Sequence, residues 1–199
     1  MPRPLAQRRR RAGAVAAVVG ALLLAGCAGT NAVNPTAGNP KGYFLNVGEV
    51  FIPPGHRGQP VRGVAGSLLD GRHFRLAAWA GHVVVVNFWG SWCAPCRAEA
   101  DSLEAVAQRT RTLGVRFLGV DVRDDVASAE AFDQTHGITY PSLFDSTDSV
   151  VLRFSGVDAD STPTTVVLDR RGRVAATITG EAEYTSLLSL VRRVAAEPR

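Results

Sequence analysis

Cysteine and histidine are scarce in this chain, and their scarcity closes off most metal chemistry. Of 199 residues, three are cysteine and four are histidine. Cys93 and Cys96 form a C-x-x-C pair, but Cys27 lies far upstream, and His56, His73, His82 and His136 form no pair. A zinc site needs further ligands at suitable spacing, so no metal and no organic cofactor is expected. Lysine is nearly absent: Lys41 stands alone among 22 basic residues, the rest being arginine. The uncharged stretch from Ala12 to Ala25 is also shorter than the roughly 20 residues that span a bilayer.

That stretch nevertheless has a plan. Met1 to Arg11 carries five arginines and no acid, an apolar run follows, and the segment ends in Leu24-Ala25-Gly26-Cys27. This is the layout of an export signal. Its last four residues resemble the bacterial lipoprotein processing signal, in which the cysteine is lipidated and becomes the mature first residue. An uncleaved signal anchor is the alternative, and both readings place the remaining chain outside the cytoplasm on a membrane tether. Without residues 1–26 the chain carries 17 basic against 18 acidic residues, so its net charge of +4 belongs to the leader. A nucleic-acid partner is therefore excluded.

What the chain does have is a pair of thiols at a corner. His82-Val83-Val84-Val85-Val86-Asn87-Phe88-Trp89 is a β-branched, largely apolar run of strand length, as expected of a central strand buried on both faces. From Cys96 to about Thr112, Leu103, Val106, Ala107 and Thr110 recur at helical spacing. The first N–H groups of a helix are unpaired and its dipole favours negative charge, so a thiolate at Cys93 is stabilised there. Pro95 suits the first helical turn. Cys93 is expected to be the exposed nucleophile and Cys96 the resolving thiol. A purely structural disulfide closing so short a loop would stabilise little, which leaves a redox-active Cys93–Cys96 pair as the stronger reading.

Around this corner the rest of the chain reads as scaffold. Ala28 to Pro40 has the composition of a spacer, and Lys41 to Gln59 is expected to lie extended against the domain. Val61 to Leu68 and His73 to Leu76, joined through Asp70-Gly71, read as a hairpin. Val115 to Val120 is a second apolar strand, and Asp124 to His136 a helix closed by Gly137. Tyr140 to Asp145 and Val150 to Phe154 follow as a short strand and a short helix. Thr164 to Leu168 pairs with Arg173 to Gly180 across the Asp169-Arg170-Arg171-Gly172 turn. A last amphipathic helix carries Leu187, Leu190, Val191 and Val194. Alternating strands and helices make a layered α/β domain whose ligands gather beyond the carboxyl ends of the strands, where the cysteines lie.

Asn87-Phe88-Trp89 leading into Trp92-Cys93-Ala94-Pro95-Cys96-Arg97-Ala98-Glu99 resembles the thioredoxin superfamily. So does Thr162-Pro163-Thr164-Thr165 ahead of Val166-Val167-Leu168-Asp169 and Gly172. Within that superfamily the chain is similar to the membrane-tethered, extracytoplasmic TlpA/ResA-like thiol-disulfide oxidoreductases, over about Gln59 to the C-terminus. The resemblance implies a thioredoxin-like fold: a central mixed β-sheet flanked by helices, with an N-terminal β-hairpin extension and a helix-strand segment, Asp121 to Phe144, inserted centrally. The chain then divides into a lipoprotein leader over 1–26, a tether and extended segment over 27–58, and a thioredoxin-like domain over 59–199.

Residue by residue, the resemblance implies Cys93, Cys96 and Glu99 as the catalytic groups and Pro163 as a cis proline facing the disulfide. Thr162 would then be free to pair with an extended substrate segment. Positions 96, 99, 103 and 106 share one helical face, so Glu99 lies on the core stripe beside Cys96, where burial favours a neutral carboxyl able to exchange protons with a thiol. A helix-edge glutamate paired with an arginine is the bland alternative. Two departures stand out: Asn87 replaces the buried aspartate of cytoplasmic thioredoxins, shifting proton handling onto Glu99, and Asp101 replaces a proline that kinks the active-site helix in many relatives. Trp89 is expected in the core, with Trp92 shielding the disulfide and contacting partners.

The activity so implied is a protein-disulfide reductase on the extracytoplasmic face of the membrane, held there by a lipid on Cys27. Its partners would be disulfide-containing proteins, with apocytochrome c during cytochrome c maturation foremost, and a membrane thiol-disulfide reductant as donor. The rivals are a disulfide-forming oxidase on the same fold and a redox-inert tethered binding module. A peroxiredoxin-type peroxidase is disfavoured, because Val86 and Gly90 stand where that pattern wants a proline and a threonine or serine ahead of the nucleophile.

Overall fold

The sheet is built outward from the apolar run before the cysteines. This is a computed structural model, which describes residues 48–158 and 161–198. The expected leader, the lipidation site Cys27 and the spacer lie outside the described residues. Among the described residues, no helix is long and apolar enough to cross a membrane.

Strand β4, Val84–Trp89, is buried at every position. Its alternate side chains enter two different cores. Val85 packs with Leu103, Val106, Leu187, Val191 and Val194 on the helical side. Val84, Val86 and Phe88 pack with Leu118, Val120, Phe154 and Val166 on the other. A strand covered on both faces has no polar alternation, as its sequence suggested.

Helix α1, Ala94–Thr110, follows β4 and leads into β5, Arg116–Val122. Helix α2, Val126–Thr135, then leads to β6, Ser142–Asp145. β5 pairs in parallel with β4 and with β6. On the other side of β4 the sheet is antiparallel: β7, Thr164–Leu168, pairs with β4, and β8, Val174–Thr179, with β7. Helix α3, Tyr184–Ala195, closes the domain against α1. The opposite face is covered by a small hairpin of β2, Ala65–Ser67, and β3, His73–Arg75, and by the Val151–Arg153 turn.

The sixth strand comes from a segment expected only to lie extended against the domain. β1, Gly48–Phe51, pairs antiparallel with β8, giving the order β1-β8-β7-β4-β5-β6. Just beyond it, the wholly buried Arg57 guanidinium pairs with Asp169 at 3.1 Å and Glu197 at 2.6 Å and donates to the Ile52 carbonyl. One side chain thereby fastens the amino-terminal edge to the β7–β8 turn and to the end of the chain. Sequence patterning gave no sign of this, since Arg57 and Glu197 are 140 residues apart.

Candidate active site

Cys93 and Cys96 form a disulfide at the corner between β4 and α1, with Cα atoms 5.3 Å apart. Cys93 is the N-cap of α1: its Sγ accepts the Cys96 backbone N–H at 3.2 Å, and Pro95 occupies the first turn. The expectation of an exposed Cys93 fails for the disulfide form. Its relative exposure is 3% and that of Cys96 is 1%, because both pack in a small apolar cluster with Trp89, Ala100, Ala129 and Phe132. Trp89 itself stacks on Phe132 and is core, as expected.

One helical turn past Cys96, Glu99 is 1% exposed on the same face. It is not a helix-edge carboxylate paired with arginine. Asn87 Nδ2 donates to its Oε1 at 2.8 Å and the Ala182 backbone N–H to its Oε2 at 2.6 Å. Burial pushes the Glu99 carboxyl up to about 7; the two hydrogen bonds pull the other way and Glu181 adds to the rise. Asn87 also donates to Thr165 Oγ1 at 3.1 Å, fixing its amide between β7 and α1. α1 runs without a break through Asp101, whose side chain is exposed beside His136.

The rim of the site is made by three loops. Trp92 is 49% exposed; its indole N–H donates to the Val122 carbonyl, and its ring lies so close to Gly90 that a Cβ there would sit 2.4 Å from Nε1. Arg123 lies over the Trp92 ring and donates to Thr162 Oγ1. The Thr162–Pro163 peptide bond is cis. The loop before Cys93 is held from both sides, Ser91 N–H donating to Asp124 Oδ2 and Arg97 Nη1 to the Ser91 carbonyl, each at 2.6 Å. Cys93, Cys96, Glu99 and Trp92 therefore lie on one stretch of the corner, and the side chain of Thr162 meets the rim through Arg123.

Two further acids have carboxyls pushed above their ordinary range. Asp121 is wholly buried, next to Trp89 in the β4–β5 register, with the Asp124 carboxyl beside its own. Burial, with Asp124, Asp133 and Asp125 nearby, pushes it up to about 8. Asp133 on α2 is raised to about 7, again chiefly by burial. The expected strand stopped at Val120, one residue short of Asp121. Two-residue periodicity carried onward from Phe117 would have put this acid on the helix side, so the signal was present. Among the described residues no cluster of His, Cys, Asp and Glu is arranged to hold a metal ion. A cavity of about 380 Å³ lies away from the disulfide, beneath the β2–β3 hairpin, lined by Leu68, Phe74, Trp79, Asp133, Tyr140 and Ser142 among others.

The family model described as the AhpC/TSA family matches residues 58–177. The chain belongs to this family. It is 34% identical over 112 residues to the thiol-disulfide oxidoreductase ResA of Geobacillus thermodenitrificans, spanning 56% of this chain and 63% of the relative. ResA of Bacillus subtilis is 30% identical over 111 residues, spanning 56% of this chain and 60% of the relative. The alignments thus cover less than two thirds of these relatives. A DsbF homologue from Corynebacterium diphtheriae superposes with a TM-score of 0.69 at 36% identity, over 73% of this chain and 92% of that structure. A secreted thiol-disulfide isomerase from Corynebacterium glutamicum gives 0.71 at 32%, over 75% and 92%. These likenesses establish the thioredoxin-like fold for the AhpC/TSA domain described here.

Proposed function

We propose that this chain is an extracytoplasmic, membrane-anchored thiol-disulfide oxidoreductase working as a protein-disulfide reductase. The observation that carries the reading is the Cys93–Cys96 disulfide capping α1 with the buried, near-neutral Glu99 one turn behind it. The relatives named ResA and the secreted neighbour support both the chemistry and the compartment.

In the dithiol form, the Cys96 N–H and the helix terminus stabilise a thiolate at Cys93. That thiolate attacks a substrate disulfide, forming a bond from Cys93 Sγ to one substrate sulfur and releasing the other as a thiolate. Glu99 takes the proton from Cys96, which attacks Cys93 Sγ, re-forms the Cys93–Cys96 disulfide and expels the second substrate thiolate. Two electrons pass to the substrate, so a membrane dithiol donor must restore the chain. By family likeness the substrate is the oxidised C-x-x-C of an apocytochrome c, and Cys27 carries the lipid. The peroxidase pattern is missing here too: Val86 is a buried strand residue and Gly90 lies under Trp92.

The test is a redox titration of the protein from Lys41 onward against dithiothreitol, followed by tryptophan emission. A reduction potential near the −270 mV of thioredoxin supports the reductase, one near about −120 mV reverses the direction to an oxidase, and no transition leaves a binding module. For the anchor, Cys27→Ser should free the chain from membranes.

A further inference from the structure

Arg123 and Asp148 are the non-glycine residues with left-handed backbones among the described residues, at φ values of 53° and 57°. They pair with each other, Nε to Oδ2 at 3.4 Å. A side chain other than glycine settles in this region where surrounding contacts over-determine it, and such positions gather at ligand clamps. Here the contacts lead to the disulfide. The Arg123 guanidinium lies 5.2 Å from the centre of the Trp92 ring, and its Nη2 donates to Thr162 Oγ1 at 3.2 Å. Trp92 is gripped a second time by the residue before Arg123, through its indole N–H on the Val122 carbonyl.

From this geometry we infer that Arg123 is a positioning residue that fixes the substrate entrance by holding Trp92, one residue before the nucleophile, at a set distance from Thr162, one residue before Pro163. The inference rests on the thiol-disulfide reading above. The four loops that meet in this clamp leave the α1 corner, β5, β6 and the start of β7. A guanidinium suits the post: its flat face stacks on an indole while its edge donates in two directions, which an ammonium cannot do. An extended substrate segment entering between Trp92 and Thr162 must fit a gap whose width Arg123 sets. A small disulfide that reaches the sulfur without lying along the gap is indifferent to it.

The experiment compares wild type, Arg123→Ala and Arg123→Lys on two probes, with Cys93→Ser as the inactive control. One probe is a synthetic peptide with an oxidised Cys-x-x-Cys-His segment; the other is 5,5′-dithiobis(2-nitrobenzoate). Arg123→Ala should raise KM for the peptide about tenfold and leave its kcat, the small-disulfide rate and the reduction potential unchanged, with Arg123→Lys only partly restoring KM. Thr162→Val should raise the peptide KM too, and the Arg123→Ala/Thr162→Val double variant should add little beyond either. An unchanged peptide KM in Arg123→Ala overturns the inference, and so does a parallel loss on both probes with a shifted potential, since that marks a residue acting on the dithiol itself. Wild type inert on both probes would sink the thiol-disulfide reading instead. The clamp is then judged by acrylamide quenching, assigned to Trp92 with Trp92→Phe: Trp92 no more accessible in Arg123→Ala than in wild type overturns it.

Discussion

Asn87 Nδ2 donates to Glu99 Oε1 at 2.8 Å across the interface between β4 and α1. The residue that stands where cytoplasmic thioredoxins have a titrating aspartate thus holds the acid to which we assign the proton transfer. Asn87 cannot ionise, and its amide is shared between Glu99 and Thr165, so it can only steady the carboxylate form. Burial works in the opposite direction and wins, leaving Glu99 near neutrality, where a carboxyl can both accept and return a thiol proton.

Replacing Glu99 with Gln should therefore remove a limb near pH 7 from the pH profile of the resolving step and slow it by about 10²-fold, within the usual range for a proton-transferring side chain. Asn87→Ala should shift the same limb upward by about one pH unit, because a hydrogen bond favouring the charged form is lost. Stopped-flow measurement of mixed-disulfide resolution between pH 5 and 9 reads both. A profile for Glu99→Gln that matches wild type would rule out the assignment.

Gly90→Ala should displace Trp92. The added Cβ would fall 2.4 Å from the indole nitrogen and 2.8 Å from the adjoining ring carbon, and a rigid indole cannot bend away as a flexible chain can. The bond to the Val122 carbonyl and the stacking under Arg123 should be lost together. Red-shifted tryptophan emission with a stability loss of about 1–3 kcal/mol is expected, the range for an overpacked site.

The buried acids should make stability fall with rising pH. Burial pushes the Asp121 carboxyl up to about 8 in the fold from its ordinary 3.8, so between those values the folded state binds a proton that the unfolded state has lost. Its contribution is whole below about pH 4 and declines as pH rises toward 8. Asp121→Asn should flatten that slope by up to about 1.4 kcal/mol per pH unit in urea titrations. An unchanged slope would show that Asp121 is ionised in the fold.

At the far edge, Arg57→Ala should cost about 1–3 kcal/mol, since Asp169 keeps Arg173 while Glu197 and the Ile52 carbonyl lose their buried donor. The loss should be smaller in acid: Asp169 is held below the usual carboxylate range by Arg173 and Arg57, and its share of stability fades as pH falls through its folded value. Equilibrium unfolding at pH 7 and pH 3 makes the comparison.

The sequence by itself carried the local chemistry. The β-branched run Val83–Val86, the C-x-x-C at the strand end, Pro95 in the first turn and the i, i+3 spacing of Cys96 and Glu99 are short-range patterns, and they were enough to place the dithiol on a helix cap with a carboxyl on its inner face. Tertiary structure decided what those groups touch. Cys93 proved buried because it packs in one apolar cluster with Trp89 and Phe132, and β1 became a sheet strand because β8 offered a free edge. Ala182 meets Glu99 across 83 residues of chain, and Asn87 meets it across 12. Arg123 reads as a surface arginine until four loops bring Trp92, Asp148 and Thr162 to it. Hydrogen bonds and ring contacts between distant segments have no period in the sequence, so only the folded chain shows them.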